Sequence, residues 1–257
     1  MIIGIDIGNT TVEIGFIKEY KFIKSYKLAS NREKTIDDWF LDIFNIFSIE
    51  KNKPQDCIIS SVVPQIEQKI FVAIEKLLGK NPLIVGKDIK VPIVNKYKNP
   101  DEVGIDRLVN AFSALKKQNP PLIVIDLGTA ITFDIVNEKG EYEGGLIFPG
   151  IESSVDTLFS KTSKLPMVKV EKPKNIIGKT TVDSIKSGIF YGYCSLIDGL
   201  IKKIKSKTKK NFNIILTGGN SELISNCIEE KHIVDKFLAM EGLYLIYKQY
   251  LDILNKT

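Results

Sequence analysis

Apolar residues in this chain fall into two kinds of run, and the order of the runs repeats. Met1–Asp6 is apolar almost throughout and predicts a buried strand. Thr11–Ile17 alternates, with Val12, Ile14 and Phe16 on one face, and Lys21–Leu28 reads as a third strand. The period then changes. Ile36, Trp39, Phe40, Ile43, Phe44 and Phe47 recur at helical spacing over Thr35–Phe47, and Trp39 with the phenylalanines beside it reads as core. Cys57–Val63 predicts a strand stopped by Pro64, Ile66–Leu78 a helix closed by Gly79, and Pro82–Val85 a strand. Glu102–Lys117 predicts a helix or a turn plus a helix.

The series then restarts. Leu122–Asp126, Ile131–Val136 and Gly144–Phe148 predict three strands, and Phe212–Leu216 a further buried one. Helices are expected over Ile151–Phe159, Val182–Lys203, Glu222–Glu230 and Val234–Leu254. The polar, Pro-rich stretch Leu115–Pro121 marks the joint, which divides the chain into domains 1–115 and 116–257. Two similar α/β halves facing each other make a cleft.

The duplication extends to chemistry. Ile2-Ile3-Gly4-Ile5-Asp6-Ile7-Gly8-Asn9-Thr10-Thr11 returns, altered, as Ile123-Val124-Ile125-Asp126-Leu127-Gly128-Thr129-Ala130-Ile131-Thr132. Each copy ends a buried strand in Asp-x-Gly. Glycine lets the backbone approach a ligand closely, and the Asn9, Thr10 and Thr11 side chains and nearby N–H groups suit phosphate oxygens. Asp6 can hold Mg²⁺ through water, since magnesium keeps several waters beside one or two carboxylates. One such turn alone is an ordinary hairpin; a second in matching frame argues for a nucleotide site. Thr217-Gly218-Gly219-Asn220, directly after a strand, permits close approach of a ring or phosphate and equally fits a plain strand-to-helix loop. Gly104-Ile105-Asp106-Arg107 pairs a carboxylate able to take a hydroxyl proton with an arginine able to grip an anion, or forms a surface ion pair.

Composition narrows the picture. With 257 residues, 44% hydrophobic content and 26% charged residues, the chain is a globular protein of one large or two modest domains. A net charge of +5 falls short of a nucleic-acid-binding signature. The lysine run at 202, 203, 205, 207, 209 and 210 has no interleaved aromatics and reads as a solvated helix end. Neither a signal peptide nor an apolar run of membrane-spanning length is visible. Cys57, Cys194 and Cys227 are odd in number and widely spaced, which argues against a disulfide framework or a zinc site and for a cytoplasmic setting. His232, the sole histidine, lies in a polar stretch and reads as a surface residue. Tyr244, Tyr247 and Tyr250 read either as an interface stripe or as packing against the first domain.

Six segments in order carry a resemblance: Asp6–Thr10, Val103–Arg107, Asp126–Thr132, Gly144–Gly150, Gly178–Thr181 and Thr217–Gly219. On them the chain closely resembles the type III pantothenate kinases of the acetate-kinase/hexokinase/heat-shock-70/actin superfamily. The resemblance implies two ribonuclease-H-like (actin-like ATPase) domains with a central nucleotide cleft. It implies ATP-dependent phosphorylation of pantothenate to 4′-phosphopantothenate, the first step of coenzyme A synthesis. By the same resemblance Asp106 is the general base, and Tyr97, Gly104, Ile105, Asp106, Arg107 and Thr181 contact pantothenate. Asp6, Ile7, Gly8, Asn9, Thr10, Thr11, Val12, Glu13 and Thr129 bind ATP. The resemblance further implies that Asp126 ligates K⁺ or NH₄⁺ and that the protein is a homodimer. Ile105 and Thr180 depart from the residues common there, a smaller side chain and asparagine. The rival readings are another acid or sugar kinase of the superfamily and a non-catalytic ATP-binding regulator.

Overall fold

A computed structural model describes residues 1–19, 21–50 and 53–255. They form two compact units, one comprising Met1–Ser113 with Phe237–Thr257 and the other Ala114–Lys236.

The first unit is built on a five-stranded sheet: β1 (Ile2–Ile7), β2 (Thr11–Lys18), β3 (Lys21–Ala29), β4 (Asp56–Ser61) and β5 (Leu83–Ile84), in the order β3-β2-β1-β4-β5. Strand β1 pairs antiparallel with β2 and parallel with β4. It is apolar on both faces because both are covered. Ile3, Ile5 and Ile7 pack with Trp39 and Ile43 of α1 (Ile36–Ile49) and Ile66 and Ile70 of α2 (Pro64–Leu78). Ile2 and Ile58 pack with Val109 and Phe112 of α3 (Ile105–Leu115) and with the last helix (Leu238–Leu254). Thr35 starts α1 with a full capping box to Asp38, and Gly79 ends α2 at φ +70.

The second unit repeats the plan. Its strands are β6 (Leu122–Leu127), β7 (Ala130–Val136), β8 (Tyr142–Pro149), β9 (Asn213–Thr217) and β10 (Ile233–Val234), ordered β10-β9-β6-β7-β8. Read from its other edge this is the first sheet again, with β6 between an antiparallel β7 and a parallel β9. Helices α4 (Ile151–Lys161), α5 (Thr181–Thr208) and α6 (Ser221–Ser225) accompany it. Phe190, Ile197 and Ile201 of α5 pack with Ile123, Ile125 and Leu127 of β6.

Four expectations change. Helix α6 ends at Ser225 rather than continuing to Glu230, because the next residues are held by tertiary contacts: Asp198 accepts from the Glu229 N–H, and Cys227 is bonded to Cys194. That disulfide joins residues 33 apart with Cα atoms 5.8 Å from each other. Spacing along the chain had argued against it; the fold brings α5 and the end of α6 together. Ile233–Val234, next to and at the start of the expected last helix, pairs instead with β9 as strand β10. Finally, the last helix, α7 (Leu238–Leu254), belongs to the first unit although it follows the second in sequence. Gly15 and Gly4 admit it: a Cβ at Gly15 would lie 2.6 Å from Met240 Sδ, and one at Gly4 3.2 Å from Leu243 Cδ1. Tyr244 and Tyr247 are accordingly buried in that unit's core.

Candidate functional site

The two Asp-x-Gly turns occupy equivalent places. Asp6 and Asp126 are each the penultimate residue of the central strand, where the first antiparallel partner turns back. Ile7 pairs with Val12, and Leu127 pairs with Ile131, so the second turn is one residue tighter.

In the first turn Gly8 N–H donates to Thr11 O at 3.0 Å, while Ser30 Oγ donates to Gly8 O at 2.6 Å. Asn9 and Thr10 are exposed at the tip. Ile7 and Val12 are wholly buried, so only their backbone can meet a ligand. Glu13 faces β3, accepting from Ser25 Oγ at 2.5 Å and pairing with Lys27 Nζ at 3.3 Å. Its carboxylate serves the sheet edge.

The second turn is braced by two loops of its own unit. Gly150 N–H and Ser153 Oγ both donate to Thr129 O, at 3.0 Å each. A Cβ at Gly150 would fall 2.4 Å from Gly128 O, so only glycine fits there. Tyr193 Oη donates to Pro149 O at 2.8 Å and tethers this brace to α5. On the other side Asn220 N–H donates to Leu127 O at 3.1 Å, and Asn220 Nδ2 donates to Glu152 Oε2 at 2.9 Å. Gly218, at φ +87, lies against Asp126: a Cβ would stand 2.3 Å from Asp126 Oδ1. Thus Asp126, Thr129 and Thr217–Asn220 converge, which sequence order alone did not establish.

The candidate base sits in the first turn of α3. The Arg107 N–H donates to Asp106 Oδ1 at 2.8 Å. That oxygen would stand 2.6 Å from a Cβ at Gly104, which is why the residue two positions before Asp106 carries no side chain. Burial pushes the Asp106 carboxyl above its ordinary value, while the Arg107 N–H and charge oppose the shift without cancelling it. A carboxylate so poised is a better proton acceptor near neutrality. Ile105 reaches back to Gly86, where a Cβ would lie 3.2 Å from Ile105 Cδ1, so the missing side chain leaves the room its bulk needs. Tyr97 lies half-buried in the preceding loop, its N–H held by Asn95 Oδ1 at 3.0 Å.

Thr181 opens α5, capped by Thr180, whose Oγ1 accepts from Asp183 N–H at 3.1 Å. Threonine and asparagine both serve as N-caps, which explains the departure at 180. A pocket of about 530 Å³ is lined by Ile176 and Gly178 of the preceding loop and by Ser184, Ser187 and Tyr191 of α5, among others; Thr181 is not part of its lining. The predicted residues thus fall into two sets: Asp6–Glu13, Tyr97 and Gly104–Arg107 in the first unit, and Asp126, Thr129 and Thr181 in the second. Glu152, Ser153 and Tyr193 were missed; Ser153 and Tyr193 donate to backbone carbonyls, Glu152 accepts from the Asn220 side-chain amide, and none of the three bears a motif signal.

The sequence pattern of the family described as type III pantothenate kinase matches residues 2–203. A type III pantothenate kinase of Persephonella marina is 58% identical, the match covering 97% of this chain and 99% of that protein. One from a Sulfurihydrogenibium species is 52% identical over 96% of this chain and all of its own length. The chain belongs to the type III pantothenate kinase family. A glucokinase structure from Streptomyces griseus superposes with a TM-score of 0.57 at 13% identity, covering 96% and 99% of the two chains. That likeness concerns fold alone, and it agrees with two actin-like ATPase units in this kinase.

No cluster of three or more His, Cys, Asp or Glu side chains suited to a metal occurs among the described residues. A divalent ion here fits as the partner of nucleotide phosphates and water beside one carboxylate rather than as a protein-caged ion. Gly128 and Gly218 pack directly against the Asp126 carboxylate, where a Cβ on each would lie 3.4 Å and 2.3 Å, respectively, from Asp126 Oδ1.

Proposed function

We propose that this kinase transfers the γ-phosphoryl group of ATP to the 4′-hydroxyl of pantothenate, giving ADP and 4′-phosphopantothenate in the first step of coenzyme A synthesis. Near-full-length identity of 58% to a pantothenate kinase carries the reading. In the mechanism the substrate hydroxyl attacks the γ-phosphorus while Asp106 accepts its proton, and the bridging oxygen leaves with ADP. Gly104 lets Asp106 fold against the Arg107 N–H, which fixes the accepting carboxylate. Tyr97, Gly104–Arg107 and Thr181 hold pantothenate. The backbone of Asp6–Glu13 and the Thr10, Thr11 and Thr129 side chains donate to phosphate oxygens.

Asp6 would hold Mg²⁺ through water, and Asp126 would hold K⁺ or NH₄⁺. When bound, these cations neutralise charge on the phosphates. We assign the protein to the cytoplasm, with ATP; among the described residues no helix is long and apolar enough to cross a membrane. We also read it as a homodimer that binds no nucleic acid. Ile176 and Ile177, 66% and 76% exposed, support a protein interface, and light scattering tests it.

Purified protein with ATP, Mg²⁺, K⁺ and pantothenate should release ADP and form the phosphorylated product by mass spectrometry. Substituting Na⁺ should slow turnover. Release of ADP that does not depend on pantothenate, or none at all, refutes the assignment.

A further inference from the structure

The lysine run at the end of α5 is not one solvated face. Lys202 pairs with Glu229 at 2.7 Å, Lys205 with Glu230 at 2.6 Å and Lys210 with Glu138 at 2.7 Å. Lys203 and Lys207 have no carboxylate partner among the described residues. They stand one helical turn apart, and both line a groove of about 390 Å³ between α5 and the β7–β8 edge of the second unit. Two like charges at this spacing repel each other along a helix. The arrangement is relieved by an anion.

The floor beneath them is apolar. Ile135 from β7, Leu146 from β8, and Leu200 and Ile204 from α5 are all left half-buried. Strand β8 shows only backbone at Gly144 and Gly145, and Gly144 adopts φ +128, a conformation that favours glycine. The β7–β8 register shifts between Ile135 and Val136, opposite this point. A bulge and two missing side chains therefore open the groove. Glu143 also lines the groove and accepts from Asn137 Nδ2 at 3.2 Å. The volume lies within the range of small-molecule sites.

We propose that this groove binds an amphipathic anion, a medium-chain carboxylate whose chain covers Ile135, Leu146, Leu200 and Ile204 and whose head lies between Lys203 and Lys207. This ligand class is distinct from ATP and pantothenate, and the inference does not rest on the kinase reading. Salt-bridged neighbours keep α5 in place while the two unpartnered lysines supply the charge. An apolar floor alone would take any alkyl chain; the paired lysines select for an anion.

Isothermal titration of the full-length protein with decanoate, butyrate, decyl phosphate and decyltrimethylammonium, each below its micelle concentration, tests this. Decanoate should bind with one site per chain and a Kd below about 1 mM. Butyrate, lacking the chain, and decyltrimethylammonium, lacking the negative charge, should not. The double variant Lys203→Gln/Lys207→Gln should weaken decanoate by about tenfold or more, and Leu200→Gln should weaken it independently. Melting curves check that both variants fold. Decyl phosphate binding that is also lost in the lysine variant supports the site with a phosphate head as the preferred form. Equal binding of the cationic amphiphile, undiminished binding in the lysine variant, or no decanoate binding in the wild type overturns the proposal.

Discussion

Gly218→Ala is expected to damage stability and catalysis together, while the same change one residue later is expected to do neither. Gly218 sits at φ +87, where an L side chain is strained by about 1–2 kcal/mol. The added Cβ would also lie 2.3 Å from Asp126 Oδ1 and 2.7 Å from both N and C of Leu127. The carboxylate could swing aside. The Leu127 backbone cannot, because it is paired with Ile131 in the sheet and accepts from Asn220 N–H. Moving the loop to clear it costs about another 1–2 kcal/mol. At about 2–4 °C per kcal/mol for a chain of this size, the melting temperature should fall by roughly 5–15 °C. A shift of about 1 Å at Asp126 and Thr129 should also lower turnover by about a hundredfold. Gly219 has no heavy atom within 4 Å of its would-be Cβ and no positive φ, so Gly219→Ala should stay within about 0.5 kcal/mol of wild type. Differential scanning calorimetry and a coupled ADP-release assay read both effects. If the two alanine variants melt and turn over alike, the close packing of Gly218 on Asp126 is not what holds this turn.

Burial raises the Asp106 carboxyl, so the folded state binds its proton more tightly than the unfolded chain. That stabilisation is complete below the ordinary carboxylate range and is lost as pH rises through the raised value. Asp106→Asn should therefore melt higher than wild type at neutral pH, with the advantage vanishing under acid, yet lose about 10²–10⁴-fold in turnover; a melting difference independent of pH would contradict this. In the wild type the acid limb of kcat/KM should lie above the usual carboxylate range. Reducing Cys194–Cys227, or replacing Cys194 by Ser, opens a loop spanning 33 residues and should cost about 3–4 kcal/mol, read as a lower melting temperature in dithiothreitol. Cys57, buried with its thiol pushed up by desolvation, should stay unalkylated in the native protein. Gly242→Ala would put a Cβ 2.9 Å from Val109 O and should loosen α7 from α3 by about 1–3 kcal/mol, seen as faster hydrogen exchange across both helices.

What could be read from the chain was whatever is encoded locally. Strand β1 announced itself because both its faces are apolar, and α1 because its apolar positions keep a helical period from a Thr35 cap. The paired Asp-x-Gly turns were legible because each is a contiguous peptide whose chemistry lies within a few residues. The family resemblance rests on the same contiguous segments. Three features depended on distance along the chain and so were settled only by tertiary packing. Helix α7 leaves the second unit because Gly4 and Gly15 open a face of the first sheet more than two hundred residues earlier. Cys194 and Cys227 meet because α5 and α6 pack on one sheet, although their spacing gave no pairing signal. Expected helix at 226–230 and at 234–237 gave way to loop and to β10, since β9 offered an unpaired edge and Asp198 offered an acceptor to the Glu229 N–H. A local pattern can state what a segment prefers. Only the assembled sheet decides which edge, face or acceptor is there to override the preference.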